Sequence, residues 1–372
     1  MEQSAETQSK RLFSLDVFRG AVMFLLIAEA AGFHESFAKL TDGTPFSFLA
    51  LQVQHHPWNG LRFWDLIQPF FMFIVGVAMP FSLRKRVATE TRWQATKHIF
   101  RRCFLLFSFG ILLHWVYSHS PVWELWNVLV QLAFTILIAY GIMNQSYRFQ
   151  IGVSVALLIF TEVLYRTYNP VAPYAQNHES FGAWFDMLTM GKTNGGYWVF
   201  VNFIPTAAHT IWGVVCGQLL LSKNSEKQNL KSFLIWGTVI MALGFSMDWL
   251  EITPIIKRIA TTSFTLASGG ICILTLTFFY WVIDVQDYKK RWLVIFSVVG
   301  TNSIFIYLFS ETFGHLIFRK FDILWETGLF DPLIDYKDWI LVFESLLTLF
   351  FCGRSHIFWI NERFILRCKS SY

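Results

Sequence analysis

Residues 55–79 read HHPWNGLRFWDLIQPFFMFIVGVAM. Two imidazoles, an indole and an amide come first, and Asp65 follows. After Asp65 no charge occurs until Arg84. An uncharged run of that length is what a membrane-crossing helix of ~20 residues needs. Asp65 at its start complements the helix dipole, and Pro69 sits early, where a missing N–H is tolerated. The stretch is therefore a polar rim running into a transmembrane helix.

The whole chain repeats that character. Of 372 residues, 54% are apolar, 18% are aromatic and only 15% are charged. Soluble domains carry about 25% charge. A soluble domain, a disordered chain, a collagen and a disulfide scaffold are all excluded on this composition. The net charge of +5 is small, and no basic run interleaved with aromatics occurs. No nucleic-acid partner is expected. The five cysteines form no CxxC pair and read as small core residues. The two adjacent histidines lack HExxH-type or carboxylate-rich spacing, so no metal is expected.

Hydropathy predicts an all-α polytopic bundle of about ten spans: 13–33, 64–83, 100–117, 125–143, 149–165, 201–221, 231–250, 262–282, 292–314 and 338–356. With both termini cytoplasmic, Lys and Arg favour the inner loops by roughly two to one, as the positive-inside rule requires. The polar start reads straight into an uncleaved first helix, and nothing divides residues 1–372 into more than one domain. Two long segments, from about His34 to Phe63 and from about Arg166 to Phe200, fall outside and mark that face for a polar substrate.

Several polar residues stand out against this background. Asp16 and Arg19 lie three apart on the first helix, where pairing offsets a cost of ~2.5–3.5 kcal/mol per charge at mid-membrane. They read as an anchoring ion pair or as part of a cofactor entrance. Glu29 sits deep in the same span, and an intramembrane carboxylate is a functional candidate unless hydration at the outer end explains it. His55 and His56 precede the second span beside Trp58 and Asn59, and an imidazole there can take a proton from an attacking amine or hydroxyl. The inner segment Arg84 to Arg102 holds seven positive charges, Arg101 and Arg102 among them. It serves as a topology signal or as a phosphate site. His209, Asn302 and Ser303 place polar groups inside apolar spans, where they bond between helices.

SLDVFRG at 14–20, followed by the 55–79 stretch, resembles the start of the heparan-alpha-glucosaminide N-acetyltransferase family and its bacterial relatives. RRCFLLFSFGILL, IPTAAHTIWGVVCG, TPIIKRIATTSFTLASGG and VVGTNSIFIYL resemble later blocks in the same order. The resemblance implies a membrane acyltransferase of bacterial-inner-membrane type. It would take acetyl from acetyl-CoA in the cytosol and pass it to a sugar acceptor across the bilayer. Homodimers occur among such relatives. The family's active-site histidine stands three residues before the Trp of HxxWxG, which is His55 here. The family's Asn near the end of the first span is absent; Ala30 stands there, with Glu29 beside it. Its GVLQRI-like block is altered to NVLVQLAF around Gln131. The mammalian enzyme's luminal domain is replaced by a short polar start.

The resemblance and the residues together give a scheme. His55 deprotonates the acceptor or carries the acetyl group, and Glu29 or Asp65 orients the imidazole. Trp58, Asn59, Asn302, Ser303 and Asp16 join the binding residues, Asp16 at the cofactor entrance, while Arg101, Arg102 and Arg19 hold the CoA phosphates. Two other classes fit the composition, a permease for a small polar solute and a non-catalytic scaffold. The lack of a usable internal repeat weighs against the first.

Overall fold

A computed structural model describes residues 12–30 and 32–314, and every regular element among them is helical. Residue contacts divide the chain into two compact units. The larger holds His56–Leu61 and Asp65–Trp281; the smaller holds Leu12–His55, Arg62–Trp64 and, within the described residues, 282–314. The chain thus passes between units on both sides of Arg62–Trp64.

In the larger unit the helices are α4 (Ile67–Val87), α5 (Arg92–Ser118), α6 (Val128–Ile142), α7 (Tyr147–Tyr168), α8 (Phe181–Met190), α9 (Phe203–Leu221), α10 (Glu226–Trp249) and α11 (Thr262–Phe279). The centre is the α4–α9 pair. A Cβ on Gly76 would strike the carbonyl of Thr210, one on Gly213 the carbonyl of Phe73, and one on Gly217 the carbonyl of Val77. Small residues let two membrane backbones approach this closely, which is how helices associate where lipid removes the hydrophobic drive. Buried polar side chains then bond α9 to its other neighbours. Trp212 Nε1 donates to Ser154 Oγ at 2.9 Å, and Gln150 Nε2 to Gln218 Oε1 at 3.1 Å. His209 Nε2 lies 2.9 Å from Ser268 Oγ, whose own hydroxyl donates to Phe264 O at 2.6 Å. The ring therefore donates from Nε2, and its role is the interhelical bond expected from sequence. Gln68 and Gln131 form a buried side-chain bond between α4 and α6.

Among the described residues, six helices are long and apolar enough to cross a membrane, or seven if a bent pair counts as one span. They fall into two kinds. Among their most apolar windows, 72% of Phe63–Val87, 67% of Phe200–Leu221 and 50% of Thr262–Val285 is buried, against 28% of Arg92–Ser118, 22% of Tyr147–Tyr168 and 17% of Glu226–Trp249. The second group faces outward, and its N-termini are closed by side chains. Thr91 with Gln94 and Ser225 with Gln228 form capping boxes, and Ser146 accepts from Phe149 N. α6 is a short apolar helix whose Asn127 caps Leu129 N at 2.7 Å.

In the smaller unit, α1 (Phe13–Ala30) packs on α12 (Leu293–Thr301). A Cβ on Gly20 would strike Phe296 O and one on Gly300 would strike Asp16 O. Asp284 Oδ2 accepts from Ser14 N at 3.2 Å and so closes the start of α1. Two short helices follow, α2 (Phe33–Thr41) and α3 (Ser47–Gln52). The span expected over 292–314 is broken. Leu293–Thr301 and 303–312 meet at 81°, with the exposed Asn302 at the bend. Asn302 Nδ2 donates to Val298 O and Thr301 Oγ1, both at 3.3 Å, so its amide serves the helix end. Ser303 opens the next helix, α13 (Ser303–Phe309). The expected inner loop is also shorter, because α5 begins at Arg92 and takes Arg101 and Arg102 into the helix. The span expected over 338–356 lies outside the described residues.

Replacing Gly213 by Val drives a branched side chain into a backbone carbonyl. We expect a loss of at least the ~1–3 kcal/mol of an overpacked core. A lowered unfolding midpoint in detergent, with a smaller drop for Gly141→Val where a Cβ meets open space, would show it.

Candidate active site

The motif loop 56–61 belongs to the larger unit and is tied down at several atoms. Asp65 is only 1% exposed, and a buried carboxylate needs a countercharge. Lys257, from the segment between α10 and α11, supplies it at 3.6 Å and also lies 5.4 Å over the Trp198 ring. The second carboxylate oxygen accepts the backbone N–H of His56 at 3.2 Å. Gly60 N donates to Ile255 O at 2.8 Å, two residues before Lys257. Gly60 has φ 144, and a Cβ there would press on the His56 ring, so glycine is required on both counts. Trp58 Nε1 donates to Tyr174 O at 3.1 Å. His56 is half-buried, and its Nδ1 is buried with no hydrogen-bond partner. Asn59 is exposed.

His55, Glu29 and Arg62 belong to the smaller unit. The His55 side chain is exposed, and its carbonyl accepts from Arg62 Nη1 at 3.0 Å. Glu29, exposed at the end of α1, accepts from Trp64 Nε1 at 3.1 Å. The Trp64 ring in turn stands edge-on to His34, with centroids 4.1 Å apart. Burial, with His55 nearby, pushes the His34 imidazole down to about 4, so it is neutral at neutral pH. The structure therefore groups Glu29, Trp64 and His34, with His55 close enough to His34 to act on its charge, and it places Asp65 with Lys257 and His56.

The remaining sequence candidates are distributed more widely. Asp16 and Arg19 pair at 3.9 Å on α1, in the smaller unit. Arg101 is exposed and Arg102 half-buried on α5, in the larger unit. Among the described residues, no group of three or more His, Cys, Asp or Glu is placed to hold a metal ion.

Sequence reasoning missed Lys257, His34 and a third feature. A narrow cleft in the larger unit is lined by Trp58 and by residues of the two loops flanking α8, Asp186 of that helix included. Ser180 caps α8 and Gly191, at φ 70, ends it. Asp186 is fully buried and accepts from Trp126 Nε1 at 2.7 Å and Phe200 N at 3.0 Å. Burial outweighs both bonds and pushes its carboxyl up to about 7. The signal for Lys257 was visible as the pair of cations, Lys257 and Arg258, inside the otherwise apolar block TPIIKRIA.

Residues 11–245, more than half of the chain, match the family described as heparan-alpha-glucosaminide N-acetyltransferase, catalytic. The chain belongs to that family, whose members are membrane acetyltransferases that use acetyl-CoA. The match takes in α1, the motif loop and all of α4 to α9; Lys257 lies beyond it. No curated protein matches the chain.

Two substitutions test these electrostatics. Lys257→Met removes the cation that stands 3.6 Å from the buried Asp65 carboxylate, and we expect a loss of ~3–5 kcal/mol, partly restored when Asp65→Asn is added. Unfolding midpoints of the single and double variants measure it. The folded Asp186 holds its proton to about 7, whereas the unfolded group releases it near 3.8. Its contribution is therefore full below about pH 4 and lost as pH rises through about 7. Asp186→Asn should remove that part of the pH dependence, so its stability should gain on the wild type's as pH rises from 4 to 7.

Proposed function

We propose that this member of the family is a single-domain membrane acetyltransferase of about ten spans with both termini cytoplasmic, seated in a bacterial inner membrane. It moves acetyl from cytosolic acetyl-CoA to the amino or hydroxyl group of an extracytoplasmic amino sugar or related glycan. The observation that carries this reading is the pinned motif loop. A buried ion pair holds the peptide N–H immediately after His55, and a glycine N–H fixes the loop's other end. Acyl transfer from a thioester asks mainly for position, because the acyl group is already activated.

The chemistry divides as follows. The acceptor's nitrogen or oxygen attacks the thioester carbonyl while His55 takes its proton. The C–S bond breaks, the thiolate leaves and regains a proton, and the new C–N or C–O bond keeps the acetyl group. In the carrier version the imidazole attacks first and releases CoA, and the acceptor then takes the acetyl from the ring. His34 stays neutral and sets no second positive charge against a protonated His55. Glu29 orients the neighbourhood through Trp64, and Asp65 orients it through the His56 N–H. At the inner end, α4 finishes on Arg84, Lys85 and Arg86, and α5 begins at Arg92 and carries Arg101 and Arg102. These cations suit the phosphates of CoA. Arg19 has Asp16 as its partner on α1.

One observation favours a second assignment within the same reaction. His56 has the more enclosed ring and an unpartnered Nδ1. Transfer of labelled acetyl from acetyl-CoA to a panel of sugars separates the two. We expect His55→Ala to lose at least ~10²-fold in turnover, the scale of a missing general base, and His56→Ala to lose much less. The reverse order would move the base to His56, and full activity in both would remove histidine from the chemistry. Mass analysis of protein held with acetyl-CoA and no acceptor tells base from carrier.

A further inference from the structure

α5 and α6 touch at two levels and part between them. Thr96 Oγ1 lies 2.6 Å from Tyr140 OH at one level. At the other, Gly110 meets Val130 so closely that a Cβ on the glycine would strike the valine side chain. Along α5 the two levels are about 21 Å apart, at ~1.5 Å per residue. Between them the helices leave a cavity of about 220 Å³. Phe100, Cys103, Phe104 and Phe107 of α5 form one wall and Ala133 and Leu137 of α6 the other. Phe134, packed on Phe203 of α9, also lines it. No charged, amide or hydroxyl side chain lines it.

The cavity has an open side. Phe100 is 56% and Phe104 68% exposed at its rim, on a helix that turns most of its apolar surface away from the bundle. Water does not fill such a space, because apolar cavities of ~150 Å³ stay dry and take apolar guests. Left empty, its walls forfeit the dispersion contacts that packing supplies. The guest therefore enters from the bilayer. Helices that pair inside a membrane present small residues to one another. This rim presents phenylalanines, which hold a second helix off and leave a slot suited to a single hydrocarbon chain.

The sequence above the slot selects the head of that lipid. Positions 93, 97, 100, 104 and 107 fall on one face of a helix. Here they are Trp93, Lys97, Phe100, Phe104 and Phe107. Read toward the cavity, the face gives an exposed indole, an exposed cation and then three rings of the wall. Tryptophan in such a place marks the headgroup level, and lysine there attracts anionic lipid. Glu90, which precedes α5, is engaged by Arg86 and His98, and no ion pair forms at Lys97 among the described residues.

We propose that the cavity between α5 and α6 is a lipid site, which holds one acyl chain of an anionic phospholipid whose phosphate meets Lys97. The site lies apart from the motif loop and does not depend on the acetyl-transfer reading.

The test uses full-length protein in detergent, stripped of lipid and then given phosphatidylglycerol or phosphatidylcholine of matched chains. Native mass spectrometry should show one phosphatidylglycerol retained at least fivefold more than phosphatidylcholine. Ala133→Phe fills the cavity and should cut retention of both lipids at least tenfold. Leu137→Trp fills it from the same helix and stands in if the first variant does not fold. Lys97→Gln keeps the slot and should bring the preference between headgroups below twofold. Phe104→benzoylphenylalanine, irradiated in native membranes, names the occupant, and an adduct of phospholipid mass is expected. Equal retention of the two lipids by the wild type, undiminished retention in the filled variants, or an unchanged preference in Lys97→Gln overturns the proposal. A crosslink to a second copy or to another protein without a lipid adduct overturns it too, and gives the face to a protein contact.

Discussion

A carboxylate buried at the head of a membrane helix cannot stand alone, and Asp65 is such a group. Its charge must be met by a cation and by N–H donors, because desolvation otherwise outweighs everything the helix gains there. Lys257 arrives from the connection before α11, and the N–H arrives from the residue that follows His55. One electrostatic requirement thus ties the end of α10, the start of α4 and the motif loop to the same point. The Gly60–Ile255 bond doubles the tie. The neighbouring aromatic residues gather round it as well, since Trp198 stacks on the lysine and Trp58 leaves the loop toward Tyr174.

The arrangement of the larger unit follows from what lipid can and cannot do. α4, α9 and α11 are the buried helices, and the first two meet through glycines, backbone against backbone. Hydrogen bonds from Gln150, His209 and Trp212 then fix α9 against its neighbours, two of them at α7 and one at α11. α5, α7 and α10 expose most of their apolar surface, although α7 supplies Ser154 and Gln150 to those bonds and α10 meets α11 closely at Gly244 and Gly270. Bonds within the membrane are individually modest, and the close backbone packing supplies the specificity.

Much of this was legible in the sequence. The all-helical architecture followed from charge-poor runs, and six of the spans read from 64–83, 100–117, 149–165, 201–221, 231–250 and 262–282 correspond to membrane-length helices. The bond of His209 between helices was also foreseeable, because a polar group in an apolar run has few other options. The break at Asn302 was not, since hydropathy averages over a bend. Nor was Lys257 as the partner of Asp65, because the two are far apart in the chain and periodicity is silent on distant pairs. His34 lay in a segment read as a loop. In each case the missing information was tertiary contact, which a local pattern does not encode. Glu29 was noticed as a lone carboxylate and proves to have an indole partner in Trp64.

The division between capped outward-facing helices and uncapped central ones has a consequence for how the chain is made. α5, α7 and α10 pair first-turn N–H groups with their own caps Thr91, Ser146 and Ser225, so those helix starts depend on no distant segment. α4 and α9 carry glycines and amides whose partners are synthesised at other times, Gly76 well before Gly213. The close backbone contact between α4 and α9 can therefore form only after α9 has been made, and the centre of the larger unit closes late in synthesis.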